Sequence, residues 1–397
     1  MWPGVESCIP LRDAIATEER LRDRILLSTP DVGVREEELV LEALRSGWVA
    51  PLGPMVDEFE RRIAERCGRA HGVALSSGTA ALHLGLLELG ARPGTVVVVP
   101  TMTFAATANA VVYTGASPVF VDCEESTGNL DPELLERALK KLRGDGVMVA
   151  AVVPVDLLGR CADYTRLLPI CERFGIPVIA DAAESLGASH AGRPAGSFGR
   201  MAVLSFNGNK IMTTSGGGML LTDDADLAAR VRYLSTQARQ PAVHYEHTEV
   251  GYNYRLSNIL AALGLAQLER LDEMIGRRRA VREEYARAFD GQSGVRVFQR
   301  SGDEADNCWL TAIVVDPLEA WWSVDDLAKT LDSAGIESRP LWKPMHRQPV
   351  FDDARSQLSG AADRLFAAGL TLPSGSALSP CQVDAIMASL DSFFAVP

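Results

Sequence analysis

Short apolar runs recur along the first half of the chain and are nearly continuous rather than alternating with polar residues. Between Val73 and Thr222 they read GVALS, TVVVVP, PVFVD, MVAAVVPV, PVIAD, MAVLSF and GGMLLT. Runs that are rich in Val and Ile and end at Gly, Pro or Asp are typical of strands covered on both faces. The pattern predicts seven buried strands in a mainly parallel sheet.

Helical patterns lie between several of these runs. Two examples are GTAALHLGLLELG, from Gly78 to Gly90, and DPELLERALKKLRG, from Asp131 to Gly144. The second opens with Asp at the N-cap and Pro in the first turn, as helices commonly do. Alternating strands and helices predict an α/β fold in which helices sandwich the sheet.

After Asp223 the pattern changes. It predicts one long helix over RLSNILAALGLAQLERLDEMIGRRRAVREEYARAF, because apolar residues recur on one face. That face holds Ile259, Leu260, Leu263, Leu268, Leu271 and Ile275. Beyond Gly291, CWLTAIVV predicts a strand, and SVDDLAKTLDSAG and SPCQVDAIMASLDSFF predict helices. We therefore expect an N-terminal segment with a large domain over residues 1–275 and a smaller C-terminal α+β domain over residues 276–397.

Charge and composition narrow the function classes. The 397 residues carry a formal net charge of −13, which argues against non-specific nucleic-acid binding because that needs a basic surface. The seven cysteines are scattered and form no C-x-x-C pair, so we expect no disulfide framework or metal site and a cytoplasmic location. The N-terminus lacks a basic start before an apolar core, and the longest apolar stretch is too short for a bilayer. We expect neither a signal peptide nor a membrane span.

The stretch SFNGNKIMTTSGGGML places Lys210 between an apolar run and three glycines. A nucleotide phosphate loop has the opposite order, with its glycines before the lysine and a helix after it. Here the glycines lead into another apolar strand instead. A phosphate-loop ATPase is therefore disfavoured, and Lys210 needs another explanation.

Ligands of open parallel sheets bind beyond the carboxyl ends of the strands. The residues that follow the predicted strands are Ser77-Gly78-Thr79 after GVALS, Phe104 after VVVVPTMT, Asp181 and Glu184 after PVIA, and Ser205 and Lys210 after MAVL. The first of these groups opens a helix, where free amide groups and hydroxyls form an anion site.

An anion site, an aromatic ring, a carboxylate and a lysine at one sheet edge suit pyridoxal 5′-phosphate (PLP). The phosphate takes the helix N-terminus, the lysine forms a Schiff base with the aldehyde, and the carboxylate keeps the pyridine nitrogen protonated. The aromatic ring covers one face of the cofactor. Each residue alone has a simpler role, as an N-cap, a turn former, a core residue or a surface charge. Their order at successive strand ends favours the cofactor site.

From about Leu26 to the last helix, the chain resembles the nucleotide-sugar aminotransferases of the DegT/StrS family. The matching segments are SGWVAPLGPMVDEFE, SSGTAALHLGL, VPTMTFAATANAVVYTGASPVFVD, DLLGR, IADAAESLGA, SFNGNKIMTTSGGGML, GYNYRLSNILAALGLAQLE and RPLWKPMHRQPVF. Members of the family are fold-type I PLP enzymes that act as homodimers. The resemblance therefore implies PLP as cofactor, L-glutamate as amino donor, a nucleotide sugar as acceptor, and active sites shared between two subunits.

The resemblance also implies roles for individual residues. Lys210 would be the Schiff-base lysine, Asp181 the partner of the pyridine nitrogen, and Glu184 a neighbour of the ring hydroxyl. Phe104 would stack on the ring. The residues implied to hold the phosphate are Gly78, Thr79, Ser205 and Asn253 of the partner subunit. The residues implied to line the sugar-nucleotide side are Trp48, Val49, Ala50, Pro51, Trp342, Lys343, Pro344, Met345 and His346.

The nucleotide sugar that the resemblance implies is bulky and doubly charged, so an acidic protein would need local cations to bind it. Lys343, His346 and Arg255 are the candidates, although each also suits an ordinary solvated or structural role. Many family members have His at the place of Asn207, and Gln or His at the place of Glu184. The versions SFNGNK and DAAES resemble the subgroup that acts on UDP-4-keto-6-deoxy-N-acetylhexosamines, as in bacillosamine-type pathways.

Other interpretations stay open at this point. Relatives with a similar lysine segment handle GDP- or dTDP-linked 4-keto sugars, 3-keto sugars or cyclitol ketones. A dehydratase branch replaces the lysine with histidine, and Lys210 argues against that branch. A non-catalytic regulator with the same fold is a further alternative. An amino-acid aminotransferase would need a fixed arginine for the α-carboxylate, for which Arg339 is the candidate.

Overall fold

The computed structural model of the protein describes residues 24–302 and 305–395. Its α-helices are α1 (Val34–Ser46), α2 (Pro54–Arg66), α3 (Gly78–Glu88), α4 (Ala105–Tyr113), α5 (Pro132–Gly144), α6 (Tyr164–Phe174), α7 (Ala225–Ser235), α8 (Asn258–Glu269), α9 (Leu271–Ala288), α10 (Val324–Ser333), α11 (Ala361–Ala368) and α12 (Pro380–Phe394). Its strands are β1 (His71–Leu75), β2 (Val96–Pro100), β3 (Ser117–Val121), β4 (Val149–Val152), β5 (Ile179–Asp181), β6 (Ser189–His190), β7 (Arg193–Pro194), β8 (Met201–Ser205), β9 (Gly218–Thr222), β10 (Val295–Val297), β11 (Thr311–Val315), β12 (Arg339–Pro340), β13 (Arg355–Gln357) and β14 (Gly369–Leu372).

The large sheet has the strand order β1-β9-β8-β5-β4-β2-β3-β13. Parallel bridges from Val152 to Val178 and from Val155 to Asp181 join β4 to β5. Strand β9 runs antiparallel to β1 and β8, and the other neighbours are parallel. The mainly parallel sheet of seven predicted strands is confirmed, and β13 extends its edge from the far part of the chain.

Helices cover both faces of this sheet because successive strand residues point to opposite sides. Val97 and Val99 of β2 belong to one buried cluster, with side chains of α3, α4 and α7. Val96 and Val98 belong to the other, with side chains of α1, α2, α5, α6 and α8. The predicted α/β sandwich is therefore confirmed.

The smaller domain is built on an antiparallel sheet with the order β10-β11-β14-β12. Its buried cluster joins Val281 and Tyr285 of α9 with Leu327 of α10 and Leu390 of α12. The predicted α+β character of this part of the chain is confirmed.

The predicted long helix is wrong, because the structure has two helices, α8 and α9. Arg270 separates them with non-helical angles (φ −105°, ψ 1°), and its guanidinium pairs with Asp31 and Glu36, each at 2.9 Å. The predicted apolar face is also wrong for α8, where most of the buried positions are Ala or Gly and the predicted residues Ile259, Leu260, Leu263 and Leu268 are only half-buried. The reason is close packing, since a side-chain carbon at Gly264 would lie 2.7 Å from the Phe59 ring.

The division at residue 275 stays a prediction. Met274 and Ile275 of α9 pack in the large-domain core, and Tyr285 packs in the small-domain core. Two segments cross this division, since Ile25 bridges to Ile336 and β13 joins the large sheet. In the ranges that the structure describes, no helix has the length and apolar content needed to cross a membrane.

Candidate active site

A cavity of about 290 Å³ lies beyond the carboxyl ends of β1, β5 and β8. It collects the side chains that the sequence placed at successive strand ends. Its lining includes Ser77, Gly78, Thr79, Phe104, Thr107, Asp181, Glu184, Ser205, Asn207, Asn209, Lys210, Trp309 and Trp342. The edge of the sheet that was predicted to hold the site is therefore the edge where these residues meet.

The first turn of α3 forms one wall of the cavity. Ser77 caps this helix, since its Oγ accepts the amide of Ala80 at 3.0 Å. The amides of Gly78 and Thr79 follow directly and have no acceptor within the helix, as in any first turn. Strand β9 packs closely behind them, because a side-chain carbon at Gly218 would lie 2.4 Å from the Gly78 nitrogen. The sequence thus builds an anion site from backbone donors that only a glycine neighbour leaves undisturbed.

Asp181 ends β5 and is buried at the base of the cavity. Thr107 donates its hydroxyl to Oδ2 at 2.8 Å, and the Ala183 amide donates to Oδ1 at 3.2 Å. Burial raises the pKa of Asp181 to about 6, against the opposing effect of these two donors. A basic nitrogen that binds this carboxylate favours its ionised form, and each carboxylate oxygen can accept a further hydrogen bond.

Lys210 lies in the turn after β8, with its side chain 10% exposed. Its Nζ lies 3.3 Å from Oε1 of Glu184 and 4.0 Å from the centroid of the Trp309 ring. The other oxygen of Glu184 accepts the Leu158 amide at 2.8 Å. The whole chain contains five lysines, and Lys210 is the one that borders this cavity.

Phe104 stands at the mouth of the cavity rather than in the core. It precedes α4 and is 55% exposed, and its ring centroid lies 5.6 Å from that of Trp342. Its ring is thus open to a ligand that enters the cavity. Its position suits the stacking role that the resemblance implies.

The segment from Trp342 to His346 reaches the cavity only through Trp342. Pro344 and Met345 are buried, and Met345 packs in the large-domain core. His346 is held away from the cavity, with Nδ1 2.7 Å from Thr101 Oγ1 and Nε2 3.3 Å from Asp363 Oδ2. Lys343 is exposed. Of this segment only Trp342 borders the cavity of the same chain, and the sugar-nucleotide role of the other four residues stays a prediction.

Three other predicted site elements also lie outside the cavity of their own chain. The residues Trp48, Val49, Ala50 and Pro51 form an exposed loop, tied to α8 by Asn258, which bonds the Trp48 carbonyl at 2.9 Å. Arg255 is 8% exposed and pairs with Glu60 at 3.1 Å, a structural role within the chain. Asn253 is exposed, and its predicted contact with a second subunit stays a prediction.

A model of the DegT/DnrJ/EryC1/StrS aminotransferase family matches residues 30–391. The chain belongs to this family. It is 45% identical over 360 residues to EpsN of Bacillus subtilis (strain 168), which is named as a pyridoxal phosphate-dependent aminotransferase. The matched region covers 90% of this chain and 92% of EpsN. It is 38% identical over 373 residues to a GDP-perosamine synthase of Caulobacter vibrioides, with 93% and 98% covered. A solved aminotransferase of the family from Brucella abortus matches with a TM-score of 0.83 and 30% identity, over 96% of this chain and 98% of that one.

The protein is thus a PLP-dependent sugar aminotransferase with the fold-type I architecture, as the resemblance implied. Its cavity has the donor set that PLP requires. The α3 amides suit the phosphate, the Asp181 carboxylate suits the pyridinium N–H, and the Lys210 amine suits the aldehyde. The absence of a side chain at Gly218 leaves the first turn of α3 undisturbed, because a β-carbon there would lie 2.4 Å from the Gly78 nitrogen.

Two cavity residues of this aminotransferase were missed by sequence reasoning. Thr107 orients Asp181 and follows Phe104 by three residues, so its spacing along the first turn of α4 was an available signal. Trp309 comes from the small domain, 99 positions after Lys210, and no local pattern links the two residues. Only the tertiary structure brings them together.

Proposed function

We propose that this enzyme transfers the amino group of L-glutamate to the C4 ketone of a UDP-linked 4-keto-6-deoxy-N-acetylhexosamine, in the cytoplasm. The observation that carries the proposal is the buried Lys210–Glu184 pair beside Asp181, in a cavity open at Phe104 and Trp342. The sugar class rests on SFNGNK, DAAES and LWKPMH, hence on resemblance.

Named residues would hold the cofactor. Gly78, Thr79 and Ser205 would bind the phosphate, Asp181 the pyridine nitrogen, and Phe104 one face of the ring. When bound, PLP withdraws electrons from the carbon that gains or loses the amino group. Asp181 strengthens this withdrawal because its ionised carboxylate keeps the ring nitrogen protonated.

Lys210 would hold the cofactor between reactions and carry a proton to and from the reacting carbon. Glu184 keeps Nζ in place, since one carboxylate oxygen lies 3.3 Å from it. The other oxygen is fixed by the Leu158 amide, so the carboxylate has little freedom to turn away. The amine is therefore held in the wall of the cavity.

The substrate would approach through the mouth between Phe104 and Trp342. Both amino donor and acceptor use this site in turn, so it must admit a small dicarboxylate and then a nucleotide sugar. Lys343 is exposed and free to meet phosphates, whereas His346 and Arg255 are held by Asp363 and Glu60 within the chain. Lys343 is therefore the strongest of the three proposed substrate cations.

A homodimer would complete the site. The segment before Asn253 exposes Val243, Tyr245 and Val250, with relative exposures of 106%, 78% and 81%. Several exposed apolar residues in one segment are typical of a surface that meets another chain. Asn253 would reach the phosphate of the neighbouring subunit from this segment.

A GDP-linked 4-keto sugar is the second candidate acceptor, because the chain is 38% identical to a GDP-perosamine synthase. The test incubates the enzyme and L-glutamate with UDP-, GDP- and dTDP-linked 4-keto-6-deoxy sugars, and measures 2-oxoglutarate and amino sugar by mass spectrometry. We expect the UDP-N-acetyl sugar to give the highest kcat/KM. Turnover of only the GDP- or dTDP-linked sugars would refute the proposed acceptor and leave the aminotransferase reaction intact.

A further inference from the structure

Lys210 is also contacted from the small domain. Trp309, just before β11, donates its indole N–H to the carbonyl oxygen of Asn209 at 2.7 Å. Its ring faces the amine, with Nζ of Lys210 4.0 Å from the ring centroid. The Trp309 side chain thus fixes both the carbonyl of Asn209, the residue before Lys210, and the position of the Lys210 amine.

A second donor reaches the same carbonyl. Ser28 Oγ donates to the Asn209 oxygen at 3.0 Å and accepts from Nη2 of Arg278 at 3.1 Å. Nη1 of Arg278 donates to the Trp309 carbonyl at 2.7 Å. Burial lowers the pKa of Arg278 to about 10, so its guanidinium stays charged at neutral pH. Arg278, in α9 between the two domains, therefore links both groups that hold Asn209.

The turn that carries Trp309 is anchored to the active site as well. Asn307 donates to the carbonyls of Glu184 and Leu186 at 2.8 and 3.0 Å, and its Oδ1 accepts the Trp309 amide at 2.9 Å. Cys308 between them has φ of 55°, in the left-handed region that a β-carbon disfavours. Such a conformation persists where surrounding contacts over-determine it, as these do.

We propose that Trp309, Ser28 and Arg278 form a positioning unit that holds the Lys210 amine in reach of Glu184 and of the reacting carbon. The inference rests on the proposed role of Lys210. A buried Trp that served packing alone would need any acceptor for its N–H. Here the acceptor is the residue before the lysine, and the ring faces the charged amine, which attracts it electrostatically. Ser28 and Arg278 do not border the cavity, so through them the unit acts on the rate of amine transfer rather than on substrate affinity.

The test follows the glutamate half-reaction by stopped-flow absorbance of the bound cofactor, so it needs no sugar substrate. Trp309→Phe keeps a ring and loses the N–H, Trp309→Leu loses both, and Ser28→Ala loses the second donor. We expect rates lower by about tenfold, a hundredfold and threefold, with the dissociation constant of glutamate within about twofold of wild type. The rate at which the cofactor-free protein captures PLP should fall in the same order. The matched control is Trp322→Phe, a buried small-domain tryptophan outside the cavity, which should leave both rates unchanged.

The outcomes separate this inference from the proposed function. If Lys210→Ala captures PLP covalently at the wild-type rate, the proposed role of Lys210 fails. If Lys210→Ala is inert but the Trp309 and Ser28 variants match wild type, the positioning unit alone is refuted. Equal losses in Trp322→Phe, in step with its Tm, would also refute it by showing a stability effect. Should Trp309→Leu fail to fold, Trp309→Phe and Ser28→Ala decide the question.

Discussion

Asp181 shows how a single side chain is prepared for a charged partner. It is buried, it accepts bonds from Thr107 and Ala183, and burial raises its pKa to about 6. If Asp181 holds the pyridine nitrogen as proposed, the pyridinium N–H would supply the positive charge that favours the ionised carboxylate. An asparagine side chain has the same shape but no negative charge, so it cannot stabilise a protonated ring nitrogen in this way.

We expect Asp181→Asn to lower kcat by several powers of ten, each tenfold being about 1.4 kcal/mol of barrier. The measurement is single-turnover amine transfer from glutamate, with bound PLP quantified in the same sample. Thr107→Val is the companion variant, because it removes one donor to Asp181 and leaves the charge. A normal rate in Asp181→Asn with full PLP content would show that the carboxylate is structural.

Asp156 is a second buried carboxylate next to the site, and its pH dependence can be predicted. Its oxygens accept from Tyr164, Ser185 and the Ala162 amide, and burial raises its pKa to about 6. Because the folded value lies above the unfolded one, the folded protein holds an extra proton between about pH 4 and 6. The stability gained from this proton is present at low pH and is lost as pH rises through about 6.

The corresponding measurement compares unfolding of the wild type and Asp156→Asn without cofactor at pH 4.5 and 7. The wild type should lose about 2 kcal/mol relative to the variant between pH 4.5 and 7, since the folded pKa of about 6 lies roughly 1.5 units above pH 4.5 and each pKa unit is worth about 1.4 kcal/mol. Parallel stability curves for the two proteins would contradict the assignment of this titration to Asp156.

The anion site at the start of α3 is a property of two elements rather than of one residue. Strand β9 passes so close to it that a side-chain carbon at Gly218 would lie 2.4 Å from Gly78 N and 2.5 Å from Ser77 O. Real β-carbons do not approach backbone atoms this closely, so the helix start would have to move away from the strand.

We therefore expect Gly218→Ala to weaken PLP binding by about a hundredfold or more, through displaced phosphate donors. Gly208→Ala is the matched control, because its β-carbon would meet only Ser215 O at 4.0 Å. Equilibrium titration of the cofactor-free proteins with PLP measures both. Equal affinities of the two variants would argue that the β9 contact does not shape the phosphate site.

The sequence patterns predicted which strands and helices the large domain contains, but they did not predict how all of these elements pack against each other. Strand runs are visible because both faces of the sheet are buried, and the predicted site residues Asp181 and Lys210 lie at or just after strand ends. The face of α8 was not predictable in this way, because most of its buried positions are Ala or Gly, and Gly264 packs closely on Phe59 of α2. Burial of small residues leaves no strong hydrophobic signal.

At the scale of the whole molecule, long-range contacts were beyond a sequence reading. Trp309 and Arg278 meet Lys210 and Asn209 only because α9 and the small domain fold back on the large one. The ion pair between Arg255 and Glu60, which holds Arg255 outside the cavity of the same chain, also could not be predicted from the local sequence. The site roles of individual residues remain predictions that mutation must test.

The proposed dimer predicts complementation between inactive chains. Lys210→Ala and Asn253→Ala should each be impaired alone, because one lacks the amine and the other lacks a phosphate contact to its neighbour. A heterodimer of the two contains one intact site, so mixing after subunit exchange should restore activity toward a quarter to a half of wild type, roughly one site in two at most. No recovery despite proven exchange would contradict a shared site.

The most direct test of the account is to locate the bound cofactor on the chain. Borohydride reduction of the holoenzyme fixes PLP covalently to the amine that holds it, and peptide mass spectrometry then reports which of the five lysines is modified. The account predicts the modification on Lys210 alone, and none in Lys210→Ala, whereas Lys329→Ala should behave as wild type. Modification of Lys140, Lys141, Lys329 or Lys343 in the native enzyme, or undiminished labelling of Lys210→Ala, would contradict the account.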